Sequence, residues 1–220
     1  MNFSDILQAT GETFLMVLIS TALAYLIGLP LGVLLYVTGK NGLVKNKVVN
    51  TISGVIVNIL RSIPCLLLIV ILMPFTRAII GLGTGEWYTI ILPLFVAAFP
   101  FVARLVEQSL NEVDHGVIEA SRSLGATNLQ IINKVLLVEA RPSLINGLAV
   151  AVVSIIGYTA FSYDIGAGGL IAKAYSYFKQ DPAHPWSIKI WVVIIVIVLL
   201  VQIIQELGLF ISRKLDRRKK

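Results

Sequence analysis

Five apolar stretches, each long enough to cross a bilayer, leave this chain few folds to adopt. They run from about Phe14 to Val37, Val48 to Met73, Tyr88 to Leu105, Leu144 to Phe161 and Ile188 to Ile211. A helix needs roughly 20 apolar residues to cross about 30 Å of hydrocarbon, so each stretch is read as one spanning helix. Pro30, Pro64, Pro93 and Pro100 fall inside three of the stretches. Lipid-embedded helices tolerate proline when neighbours satisfy the freed carbonyls. Composition agrees: 57% of residues are hydrophobic, only 14% are charged, and the mean hydropathy is +0.87. Soluble domains carry about a quarter charged residues. The expected fold is all-α and integral to the membrane, and its length leaves no room for a second soluble module.

Basic residues orient the spans. Lys40, Lys45 and Lys47 follow the first; Arg104, Arg122, Lys134 and Arg141 surround the connection between the third and fourth; Arg213, Lys214, Arg217, Arg218, Lys219 and Lys220 end the chain. The opposite side holds only Arg77, Lys173, Lys179 and Lys189. The positive-inside rule places the third connection and the C-terminus in the cytosol and the N-terminus outside. Residues 1–12 are thus expected as an external segment, 13–211 as the transmembrane domain and 212–220 as a basic cytosolic tail. The tail reads as a solvated stop signal or as a contact for anionic lipid. The net charge of +6 is accounted for by these flanks and does not point to nucleic acid. No basic region precedes the first apolar stretch, so no cleavable leader is expected. Trp87, Trp186 and Trp191 lie near outer span ends, as an aromatic belt requires.

The third connection, about 111–142, is long, and connections of that length usually carry function. Val117, Ile118, Ser121 and Leu124 fall on one helical face, with Glu119 and Arg122 turned away. Gly125 suits the left-handed residue that ends a helix. Thr127 and Gln130 fit a capping box opening a second helix, with Leu129, Ile131, Ile132, Val135 and Leu136 as its apolar residues. The pattern predicts helix, glycine turn, helix beneath the membrane. It serves either as a seal for the inner mouth of the bundle or as a peg for another subunit.

Glu119-Ala120-Ser121, then Gly125, then Val135 and Leu137, resembles the EAA loop of ATP-binding-cassette importer permeases, which reads Glu-Ala-Ala, three residues, Gly, nine residues, Ile-x-Leu-Pro. Two places depart: Ser121 replaces the second alanine, and Val138 stands where proline is usual, although Pro142 follows. Further stretches are similar to methionine-type permeases: Gly28-Leu29-Pro30, Gly32 to Thr38, Arg61-Ser62-Ile63-Pro64, Pro74-Phe75-Thr76-Arg77, Gly157-Tyr158-Thr159-Ala160 and Gly166-Ala167-Gly168-Gly169-Leu170. The resemblance implies a bacterial plasma (inner) membrane permease that carries an amino acid, methionine first, by alternating access. It implies a homodimer of ten spans, two cytosolic ATPase subunits docked on Glu119, Ala120, Ser121, Arg122 and Gly125, and an external substrate-binding protein. Another amino acid or a small peptide is the alternative cargo.

The chain has no Gly-x-x-x-x-Gly-Lys-Ser/Thr sequence to cradle phosphates, so it is not expected to be an enzyme, and ATP and Mg belong to a partner. A gradient-driven transporter is the competing class, but it needs intramembrane acids or broken helices, and no acid lies mid-span. Cys65 sits alone in an apolar run, and His115 and His184 lack companions at ligand spacing, so no metal site is expected.

Candidates for the pathway or its gates are Arg61, Pro64, Tyr158, Asp164, Gly166, Gly168 and Gly169. A charge at Arg61 must face protein or water. It either bonds carbonyls freed by Pro64 or lines the path. Phe161-Ser162-Tyr163-Asp164 departs from the small residues of the family, leaving Asp164 as a solvated loop acid or a contact for a substrate amine. Lys173 to Trp186 offers aromatic contacts to an external binding protein.

Overall fold

A computed structural model describes residues 3–182 and 187–215, and the described residues hold helices and turns without a strand. Helix α1 (Phe3–Thr38) is followed by α2 (Lys47–Ser62) and α3 (Cys65–Ile80). A short 3-10 turn (Trp87–Ile90) opens α4 (Ile91–Asn111). The connection that follows holds α5 (His115–Ser123), α6 (Asn128–Ile131), a π-helical turn (Ile132–Leu136) and α7 (Leu137–Glu139). Then come α8 (Arg141–Tyr158), a 3-10 turn (Thr159–Ser162), α9 (Gly169–Gln180) and α10 (Ile188–Leu215).

Helix α4 is the axis of the molecule. Ile90, Leu94, Ala98, Val102, Val106 and Leu110 recur every fourth residue and are all at most 1% exposed. That spacing draws one stripe along a helix, and α1, α3, α2 and α8 pack around it. The closest neighbour is α1. A Cβ at Gly28 would lie 2.7 Å from the Val102 side chain, and one at Gly32 would lie 2.5 Å from the Ala103 carbonyl oxygen. Small residues one turn apart are what lets two membrane helices touch backbone to backbone.

Four of the five expected spans are continuous helices of spanning length and apolarity, and the second is not. The stretch 48–73 is divided into α2 and α3, which meet at 101° across Ile63 and Pro64. Pro64 removes a backbone donor and crowds the preceding turn. It also drives Ile63 to an extended conformation (φ −80°, ψ 123°). Pro30, Pro74 and Pro100 sit inside unbroken helices. The first span also starts earlier than Phe14. Helix α1 begins at Phe3 and its 36 residues extend about 54 Å, so residues 3–12 continue the rod instead of forming a separate segment. Trp186, His184 and tail residues 216–220 lie outside the described residues.

Candidate functional site

Three clusters on the described residues bring candidate side chains together. The first is the corner between α5 and α6. Asp114 caps α5 by accepting from the Gly116 amide at 2.6 Å. The helix ends on Gly125 at φ +81°. The Ala126 amide donates to the Ser121 carbonyl and the Gly125 amide to the Arg122 carbonyl, the paired bonds of a left-handed helix stop. Thr127 then opens α6 with the expected capping box: its Oγ1 accepts from the Gln130 amide at 3.3 Å, and Gln130 Oε1 accepts from the Thr127 amide at 2.9 Å.

The corner hangs on a few apolar pegs, Val113, Ile118, Ile131 and Leu136, all buried. Its face differs from the expected one. Ile118 turns inward, but Leu124 is 89% exposed and Val117 and Leu129 are exposed too. The apolar stripe is therefore divided, with Ile118, Ile131 and Leu136 in the core and Val117, Leu124 and Leu129 outside it. Glu119 and Ala120 are also exposed, and a Cβ at Gly125 would meet nothing within 4 Å. Arg122, turned away from the packed side as expected, donates from Nη2 to the Leu43 carbonyl at 3.4 Å and so touches the turn between α1 and α2. Val138 lies within α7; the helix is interrupted at Ala140 instead, and Pro142 occupies the first turn of α8.

The second site is at the opposite end. Gly168 and Gly169 have φ of +74° and +86°. Their amides and that of Leu170 open α9 without a capping side chain of its own. The cap comes from α1: Glu12 Oε2 accepts from the Gly169 amide at 2.9 Å and Thr13 Oγ1 from the Leu170 amide at 2.8 Å. A Cβ on Gly168 would fall 2.5 Å from Glu12 Oε2. Gln8 steadies Glu12 through its second oxygen at 2.8 Å, and Asp5 pairs with Lys173 at 3.1 Å. Glu12, Thr13 and Asp5 were missed in the sequence, where nothing but an acid in the first turns of an apolar helix marked them. Gly166 faces Gly85 across the α3–α4 loop, and Tyr163 stacks edge-on to Tyr175 at 4.5 Å with Lys179 over both rings. Asp164 stands exposed, outside the cavity of about 340 Å³ that Asp5, Glu12, Tyr163, Gly168 and Lys173 help to line. Tyr158 is half-buried against the main core, away from this cluster.

The third is a polar seam between α2 and α4. Asn50, Gly54, Asn58 and Arg61 line one face of α2; Arg104, Glu107, Gln108 and Asn111 line one face of α4. Arg104 spans the seam, with Nη1 on Glu107 Oε2 at 2.6 Å and Nη2 on Asn58 Oδ1 at 2.8 Å and the Gly54 carbonyl at 3.3 Å. Read in the sequence as a topology signal, Arg104 is a cross-brace; its Arg-x-x-Glu spacing was the available clue. Arg61 lies in the last turn of α2, just before the break at Pro64. Among the described residues no group of three or more metal-binding side chains comes together.

A family model described as the inner membrane component of binding-protein-dependent transport systems matches residues 28–217. The chain is 42% identical to a probable D-methionine transport system permease protein MetI of Vibrio cholerae, over 99% of this chain and 95% of that one. It is 46% identical to the D-methionine transport system permease protein MetI of Escherichia coli K12, over 70% and 71%. An inward-facing structure of the MetNI methionine ABC transporter superposes with a TM-score of 0.93 at 40% identity, covering 98% of both chains. An amino acid ABC transporter structure shares the fold at a TM-score of 0.76 and 16% identity, over 95% of this chain and 93% of that one.

Proposed function

The chain belongs to the family of binding-protein-dependent transport system inner membrane components, and on that premise we propose that it forms the pathway of a methionine importer. It is a multi-pass permease subunit of an ATP-driven importer. Two copies pair around the path, because one copy has four straight spans and one broken span, too few to enclose a route for a polar solute. The basic flanks put the corner of α5 and α6 and the C-terminus in the cytosol and the N-terminus outside.

The exposed α5–α6 corner carries this reading. Leu124 and Leu129 project from a rigidly capped turn whose glycine leaves room for close approach, a surface suited to the groove of a partner. Each copy docks one ATPase there through Glu119, Ala120, Ser121, Arg122 and Gly125, and ATP and Mg stay on that partner. An external binding protein delivers substrate at the α9 end. Closure of the ATPase pair draws the two corners together and opens the path outward; hydrolysis returns it to the inward-open form.

The test is ATP-dependent methionine uptake into proteoliposomes holding this chain, its ATPase and its binding protein, with wild type compared with Gly125→Arg. Wild-type uptake, lost in an assembled mutant complex, supports both motor docking and cargo. Uptake retained in the mutant removes the corner's role. An assembled wild type that hydrolyses ATP but carries no methionine removes the cargo.

A further inference from the structure

Helix α2 is attached to the bundle by little apolar contact. Of its 16 residues only Val57 is buried, grouped with Leu35 of α1 and Ala103 of α4. Val48, Ile52, Val55, Ile56 and Ile59 are all exposed. Polar side chains supply the rest of the hold, at two levels. In the first turn, Asn50 Nδ2 donates to the Leu35 carbonyl at 2.7 Å and to Thr38 Oγ1 at 3.3 Å, which ties α2 to α1. Further along, Gly54 and Asn58 stand on successive turns of one face. Arg104 Nη2 reaches both, while its Nη1 is held by Glu107 of its own helix. The side chains of Arg104 and Glu107 are only 27% and 22% exposed, so the pair is a shielded one. A planar guanidinium can serve two helices from two nitrogens; the single ammonium of a lysine cannot.

The brace matters because of where its two helices lead. Helix α4 runs into the α5–α6 corner, with only residues 112–114 between α4 and α5. Helix α2 runs into the 101° break that opens α3. Arg104 therefore stands between the corner and the broken span. The same corner also reaches the other end of α2, since Arg122 donates to the Leu43 carbonyl just before that helix begins. Resting on the importer reading above, we infer that Arg104 is a positioning residue for transport: it makes the broken span follow α4, so that movement of the corner becomes movement of α2. Glu107 holds the guanidinium in the orientation that presents Nη2 to α2.

The experiment uses the full complex of permease, ATPase and binding protein in proteoliposomes. It reads methionine carried per ATP hydrolysed, the Tm of the complex, and the distance between spin labels at Val55→Cys of the two copies, in a Cys65→Ala background, with and without a non-hydrolysable ATP analogue. Arg104→Lys keeps the charge beside Glu107 and loses the reach to α2. It is expected to lower carriage per ATP about fivefold, with hydrolysis within about twofold of wild type and Tm unchanged. Asn58→Leu leaves the Arg104–Glu107 pair intact and is expected to lower carriage about threefold. The double variant should be no worse than Arg104→Lys, because both changes remove one link. The analogue should shift the label distance in the wild type, and Arg104→Lys should abolish most of that shift. Four results overturn the inference: carriage per ATP unchanged in both single variants; a double variant whose loss is the product of the two; hydrolysis falling in parallel with Tm, which leaves Arg104 a structural brace only; or a wild-type label distance that the analogue does not move. The label reading needs no cargo. A wild-type complex that carries no methionine, yet shows a shift that Arg104→Lys removes, ends the methionine assignment and keeps the role of Arg104.

Discussion

Two corners of this protein end on left-handed glycines and do opposite things with the freedom. At Gly125 the space around the missing side chain is empty and Leu124 points away from the bundle. At Gly168 and Gly169 the space is filled by Glu12 and Thr13 of α1, which supply the cap that α9 lacks. One corner is left open for something outside the chain, and the other is closed by the chain itself. A glycine with positive φ thus identifies a turn, and its neighbours decide whether that turn is an interface or a clasp.

Substitutions separate the two. Gly168→Val is expected to have the largest effect on stability, on the order of 3 kcal/mol, from a strained backbone plus the displaced Glu12 cap; a clear fall in Tm of the purified permease–ATPase complex checks it. An unchanged Tm would mean that the clasp holds nothing. Glu12→Ala keeps the glycines and removes only the cap, so it should cost about 1 kcal/mol; protection of the α9 amides from hydrogen exchange should fall locally. Gly125→Ala meets no atom and bears only the left-handed penalty, about 1 kcal/mol or slightly more, within an exposed turn. Global Tm should barely move and uptake should persist, in contrast to the bulky Gly125→Arg. Asp164→Ala is expected to have the smallest effect, leaving Tm and methionine uptake unchanged, because the side chain lies outside the α9-end cavity. A changed preference across an amino-acid uptake panel would instead assign Asp164 to the vestibule.

The same contrast explains what was legible in the sequence. The spans were, because bilayer thickness imposes a length on apolar runs. The α5–α6 corner was as well, because its signals (Asp114, Gly125, Thr127 with Gln130) act within a few residues of one another. Which apolar residues of that corner face outward was not: Leu124 and Ile118 belong to one helical face, yet the stop at Gly125 turns Leu124 off it. The clasp was invisible because Glu12 and the amide it caps are 157 residues apart. The break in the second span depended on surroundings in the same way. Pro100 is held straight inside the buried axis of α4, whereas Pro64 and its neighbours Arg61, Ser62, Leu66 and Leu67 are exposed and nothing opposes the bend. Arg61 was singled out by its charge, whereas the bracing role of Arg104 became evident only with α2 packed beside α4.

Helix α1 joins the two corners physically. Its first turns hold the start of α9, and the turn beyond its last residue meets Arg122 of α5 through the Leu43 carbonyl. Between those ends it is one continuous helix pressed against α4 at Gly28 and Gly32, with Pro30 between the two glycines as the place where its hydrogen-bond ladder lacks a donor. The helix runs about 39 Å from the Glu12 cap of α9 to Thr38, at 1.5 Å per residue. A single helix thus touches both corners, and whatever shifts one of its ends has Pro30 as the point at which the other can be spared.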